Sequence, residues 1–137
     1  MNRILFLCVV LMGVSFSGIL KAETVLYCNS ELTVGFIKDG GSWRKGNFEN
    51  DRFTVKLNSE YTQLNFSQDD TYTCSWAWNN KNFGIVNCTS TYNNWKHFNY
   101  NINKKRFLFL QTSSTGYLEN AEIPDTNVMM AGSCKNF

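Results

Sequence analysis

The stretch Thr71-Tyr-Thr-Cys-Ser-Trp-Ala-Trp-Asn-Asn-Lys-Asn-Phe-Gly-Ile-Val-Asn-Cys-Thr89 reads as a complete hairpin carrying its own staple. Tyr72, Cys74, Trp76 and Trp78 alternate with Thr71, Thr73, Ser75 and Ala77, the period-2 pattern of a half-buried strand. Asn79 to Asn82 supplies turn residues, since asparagine tolerates the left-handed backbone that tight hairpins need. Phe83 to Thr89 then returns. A loop of Asn80, Lys81 and Asn82 sets Cys74 opposite Cys88 and Trp78 opposite Gly84. Trp76 and Trp78 then share the face of Cys74, where they cover the disulfide or line a barrel.

Working back from this hairpin, further strands are expected at Thr24–Cys28, Glu31–Ile37, Ser42–Phe48, Arg52–Leu57 and Tyr61–Phe66. Lys38-Asp-Gly-Gly41 is a hairpin turn, because Asp-Gly readily takes positive φ angles. Trp43 follows it as a core tryptophan. Arg52–Leu57 alternates cleanly, with Phe53, Val55 and Leu57 on one face. Ser67 to Asp70 is another turn. Working forward, Trp95–Ile102 puts Phe98, Tyr100 and Ile102 on one side. Lys105–Gln111 is apolar on both faces, as expected of a central strand or one covered on its outer side. Ser113–Gly116 reads as a loop before Tyr117-Leu118. Glu119 to Asn127, with the single proline Pro124, reads as irregular, and Val128–Gly132 closes the chain toward Cys134. Short strands at this spacing predict an all-β fold. The expected architecture is one small antiparallel β-barrel, or a strongly curled sheet or sandwich, of about eight short strands, disulfide-stapled.

Residues 1–22 read as a signal peptide: Asn2-Arg3 precedes the apolar run Ile4–Leu20, and Lys21-Ala22 ends in a small residue. The β domain then occupies residues 23–137, exported to the periplasm or the extracellular space. After cleavage no stable membrane insertion is expected. Of 13 Lys and Arg, Arg3 and Lys21 leave with the leader, so 11 basic residues face 11 acidic ones. That balance excludes nucleic-acid binding through bulk charge. Four cysteines remain beyond Cys8, and an even count in an exported chain reads as two disulfides. Spacing alone permits three pairings. Hairpin geometry favours Cys74–Cys88, which leaves Cys28–Cys134 to tie the ends together. No pair has zinc-site spacing, so no metal and no cofactor is expected.

No catalytic constellation stands out. His97 is the single histidine and lies opposite Phe98 and Tyr100, facing solvent. Asp69-Asp70 reads as a turn former rather than a calcium pair. The remaining carboxylates are scattered. The 18 asparagines accompany abundant Phe, Lys and Tyr, the amino acids of AT-rich codons, and mark composition rather than a binding face. The aromatics are the real excess, with 4 Trp, 6 Tyr and 11 Phe. Most belong to the core. Trp95 and Tyr92, beside Asn93-Asn94, are the candidate contact residues, because amphipathic rings flanked by amides suit sugar stacking or a protein hot spot. The competing reading of Trp95 is a plug for a barrel end.

Tyr27-Cys28 near the mature start and Gly132-x-Cys134-x-x-Phe137 at the end resemble a loose family of small, secreted, uncharacterised bacterial proteins. The early aromatic-and-cysteine strand with a near-terminal cysteine is also similar to the periplasmic C-type lysozyme inhibitors. That similarity implies a small disulfide-tied barrel and inhibition of a cell-wall hydrolase. Together these features lead to the expectation of a non-enzymatic binding module with a protein or glycan partner. The alternatives are a glycan-acting enzyme using the scattered carboxylates and an envelope-assembly subunit.

Overall fold

The computed structural model describes residues 22–66, 70–92, 95–112 and 126–137. Residues 1–21 of the expected leader, the turn residues 67–69, Asn93-Asn94 and the segment 113–125 lie outside the described residues. Nine strands run in chain order: β1 Thr24–Asp39, β2 Ser42–Asn47, β3 Arg52–Leu57, β4 Gln63–Phe66 and β5 Thr71–Trp76. They continue as β6 Ile85–Ser90, β7 Lys96–Asn101, β8 Arg106–Gln111 and β9 Asn127–Asn136. All pairings are antiparallel. Strands β3 to β9 follow one another as neighbours, and β9 pairs with β1, which returns to β3. The result is a closed eight-stranded barrel, with β2 as one extra strand beside it.

The two strands expected over Thr24–Cys28 and Glu31–Ile37 are one. β1 spans 16 residues because its edges are shared among three partners. Thr24–Asn29 pairs with β3, and Val34–Asp39 pairs with β2 along the same edge. Leu26–Phe36 pairs with β9 on the other edge. Between Ser30 and Leu32 the register against β9 shifts by one residue, which makes Glu31 a bulge. Ser30 pins the switch point. It is fully buried, its N–H donates to the Asp51 carbonyl (2.9 Å), and its hydroxyl accepts from the Asp51 N–H (2.6 Å). A Cβ on Gly132, opposite Ser30, would strike the Asn29 carbonyl oxygen and come within 2.8 Å of the Phe107 ring, so only glycine fits there.

The bulge decides which residues face inward. Leu26, Cys28 and Ser30 point into the barrel. Beyond Glu31 the even-numbered Leu32, Val34 and Phe36 point outward, because one extra residue reverses the alternation. The β1–β2 turn behaves as its sequence predicts. Gly40 and Gly41 take φ of 58° and 83° between the paired residues Asp39 and Ser42. Trp43 follows on β2, half-buried and outside the barrel core, because β2 lies beside the barrel rather than in it.

The barrel interior is filled by rings. Phe53 packs on Phe66 and edge-on to Phe107, with centroids 5.3 and 5.2 Å apart. Phe98 stacks on Phe107 at 5.5 Å and meets Phe66 edge-on at the same distance. Leu26, Val55, Leu57, Leu64 and Val86 complete this core. Aromatic pairs of this geometry add ~0.5–1.5 kcal/mol each beyond area burial. A barrel of eight strands has an interior that side chains can fill, and these do.

Both expected disulfides are present, Cys74–Cys88 and Cys28–Cys134, each joining directly opposed residues of neighbouring strands. They span 14 and 106 residues. In the chain-entropy model loops of those lengths are worth ~3 and ~4.7 kcal/mol. We expect Cys28→Ala/Cys134→Ala to lose more stability in urea melts than Cys74→Ala/Cys88→Ala. A reversed order would show that the seam between β1 and β9 is held by its ladder alone.

Candidate functional site

With the interior occupied, any partner is met on the outside. The most unusual exterior feature is the β5–β6 loop. The ladder matches the expected register from Tyr72↔Ser90 through Cys74↔Cys88 to Trp76↔Val86, and there it stops. Trp78 does not pair with Gly84 and does not cover the disulfide. Two consecutive 3-10 turns, Ala77–Asn79 and Lys81–Phe83, replace the expected three-residue loop. The Asn80 N–H closes the first turn on the Ala77 carbonyl (3.1 Å), and the Asn80 side chain accepts from the Asn82 N–H (2.9 Å). Gly84 ends the loop in left-handed backbone, and its carbonyl accepts from the Ile102 N–H (2.8 Å).

This construction forces Trp78 and Asn79 to φ of 53° each, the signature of a primed turn normally filled by Asn and Gly. For an indole-bearing residue that backbone is an outlier, costing ~1–2 kcal/mol. Trp78 is nevertheless 74% exposed, braced edge-on by the ring of Phe83 at 5.2 Å, itself 52% exposed. Among the described residues, its ring contact is with the exposed Phe83 rather than with the core.

Beside this pair, the β3–β4 loop builds a wall. Asn58 organises it: its side-chain oxygen accepts from the N–H groups of Thr62 (2.8 Å) and Gln63 (3.2 Å). Tyr61, also left-handed at φ 58°, is thereby set against Trp76 with centroids 5.3 Å apart. Lys81 places its ammonium 6.0 Å from the Trp76 ring. Ser59, Glu60, Tyr61, Thr62, Trp76 and Lys81 line a cup of about 500 Å³. Tyr61 and Trp76 give it a partly buried aromatic wall, and Ser59, Glu60, Thr62 and Lys81 offer both donors and acceptors.

Tyr92 and Trp95, the residues singled out from sequence, lie at the opposite end of the barrel, in the β6–β7 connection. They are 94% and 47% exposed. The Trp95 carbonyl accepts from the Thr112 N–H (3.0 Å), which ties that connection to the end of β8. His97 is half-buried rather than fully solvated, with Nδ1 3.2 Å from the Thr89 hydroxyl on the neighbouring strand.

At that same end Asp70 is no mere turn former. Its carboxylate accepts from the Ser90 hydroxyl (2.7 Å), the Lys96 ammonium (2.9 Å) and the Tyr72 hydroxyl (3.1 Å). Burial alone would raise its pKa. The bonds from Ser90, Lys96 and Tyr72, together with the Lys96 charge, outweigh that and hold it below the usual carboxylate range. Burial and the neighbouring carboxylate push the Tyr72 phenol far up. This is a clamp joining β5, β6 and β7. Two further ion pairs, Asp39 with Arg44 and Glu31 with Arg106, sit elsewhere on the surface.

The fold and its outer features define the class: a filled, closed antiparallel barrel with a strained aromatic tip. No family model, curated protein or solved structure matches the chain.

Two outcomes test this anatomy. Trp78→Gly relieves the left-handed strain, so its melting temperature should rise, corresponding to roughly 1 kcal/mol; a fall would mean the indole is structural. For Asp70, the folded pKa lies below the unfolded value of about 4. Its stabilisation is therefore full above that value and lost as pH falls through the folded one. Asp70→Asn should cost ~1–3 kcal/mol at pH 7 and less once the pH is below the folded pKa. An equal loss on both sides of that pKa in urea titrations would contradict the charge-based clamp.

Proposed function

We propose that this protein is an exported, non-enzymatic binding module that takes a saccharide on its aromatic tip. One observation carries the reading: Trp78 is held in a costly backbone conformation and presented to solvent. Strain at an exposed residue points to a use outside the fold's own stability. The cup beside it adds the aromatic wall of Tyr61 and Trp76 and the polar groups of Glu60, Thr62 and Lys81. Placing these groups on a disulfide-stapled barrel limits the ordering cost of binding. Export is supported by the two disulfides, which persist in oxidising compartments.

The test is a fluorescence titration of the oxidised protein with peptidoglycan fragments and neutral polysaccharides. Saturable quenching is expected, with Trp78→Ala weakening affinity by roughly thirty-fold, as for a hot-spot ring. Trp95→Ala and Tyr92→Ala should bind as the parent does. Loss on Trp95→Ala alone would move the site to the opposite end. Binding of a lysozyme or envelope protein instead, lost with Trp78→Ala, would keep the tip and change the partner class. Turnover of a glycan, abolished by one carboxylate-to-amide change, would replace the reading with an enzyme.

A further inference from the structure

The outward turn of β1 after its bulge produces a second surface, independent of the tip. Cross-strand register lays it out as a grid. Leu32, Ala131 and Leu108 form one row across β1, β9 and β8, and Val34, Met129 and Leu110 form the next. Phe36 lies in the third row, between Asn127 on β9 and Lys45 on β2. Leu32 is 69% and Phe36 57% exposed, and Val34, Met129 and Leu108 are also open to solvent. Single exposed apolar residues are ordinary, but a contiguous patch is not. β8 shares in it because Phe107 and Phe109 fill the core while Leu108 and Leu110 face out.

The surface is concave. Val34, Phe36, Leu110, Val128 and Met129 line a groove of about 300 Å³, with Lys45 at its rim. That volume is at the lower limit of small-molecule sites. Lys45 is exposed and has no ion pair among the described residues. The opposite end of the grid, beyond Leu32, is bounded by the Glu31–Arg106 pair, whose charges already answer one another. From Leu110 through Met129 to Val34 the groove crosses three neighbouring strands, about 10 Å. A narrow carbon-lined track with one unanswered cation at a single end has the polarity of a single-chain anionic amphiphile.

We propose that this groove binds a free fatty acid, its acyl chain along Val34, Met129 and Leu110 and its carboxylate at Lys45. The chain removes carbon surface from water on both partners, while the ammonium sets direction. A neutral alcohol of equal length lacks the second contribution.

Calorimetry of the full oxidised chain with octanoate, decanoate, laurate and dodecanol tests this. Affinity should rise roughly tenfold for each two added methylenes until the groove is filled. Lys45→Gln should weaken laurate several-fold and leave dodecanol unchanged. Val34→Gln and Leu110→Gln, both at outward positions, should weaken both ligands by tenfold or more, with folding checked by circular dichroism. Absence of laurate binding, equal affinity for laurate and dodecanol, or indifference to Val34→Gln would each overturn the assignment. So would a dimer in sedimentation that Val34→Gln dissolves, since a second copy would then cover the face. Sedimentation with anionic vesicles, without binding of free laurate, would assign it to a membrane surface instead.

Discussion

The seam between β1 and β9 is the constraint on which the molecule rests. An eight-stranded sheet left open would carry two edges of unpaired N–H and C=O groups. The ladder from Leu26↔Asn136 to Phe36↔Asn127 joins those edges, and the Cys28–Cys134 bond sits inside it at directly opposed positions. Closure also encloses the core. Phe53, Phe66, Phe98 and Phe107 reach one another across the barrel only because β1 brings β3 and β9 together. A filled barrel leaves no interior space for a ligand, so any binding would fall to loops and outer walls. The seam therefore decides both the stability of the protein and where function can lie.

A single extra residue, Glu31, divides β1 into two regimes. Below it the strand is a barrel stave; above it the same strand belongs to a β1–β2 projection with apolar side chains turned outward. The buried hydroxyl of Ser30 and the bare backbone of Gly132 make the irregularity fit. Bulges re-aim side chains at the cost of a broken ladder. Here the re-aimed side chains are Leu32, Val34 and Phe36, hydrophobic groups that would join the core if the alternation of Leu26 and Cys28 simply continued.

The stapled hairpin was legible because two cysteines and a clean alternation fix its register from inside one short segment. The same alternation misleads at Trp78, where the pattern persists in sequence although the ladder has ended. Nothing in the letters announces that a tryptophan takes a backbone usually reserved for Asn or Gly. The double-sided apolar character of Lys105–Gln111 predicts a central strand or one covered on its outer side; β8 lies between β7 and β9, yet Leu108 on its outer face is open to solvent. Its meaning depended on the bulge, which leaves no mark in the sequence around Glu31. Asp70 reads as a turn former in the sequence because its partners Tyr72, Ser90 and Lys96 converge only after three strands pair. Tyr92 and Trp95 were recognisable as exposed rings, whereas the assembly of Trp76, Tyr61 and Lys81 joins two loops that are distant in sequence.

The long strand β1 also gives the protein a timetable. A chain leaving the ribosome presents β1 before the other strands, yet one of its edges cannot be satisfied until β9 arrives, a hundred residues later. Contacts of such separation form late, after the cost of closing a large loop has been met. Meanwhile the stapled β5–β6 hairpin, whose cysteines are 14 residues apart, can assemble as soon as it emerges. The waiting strand carries Leu32, Val34 and Phe36 beside its open edge, the part of a nascent chain most prone to mispair. Among the strands, β1 is the one that stays unsealed for the longest time.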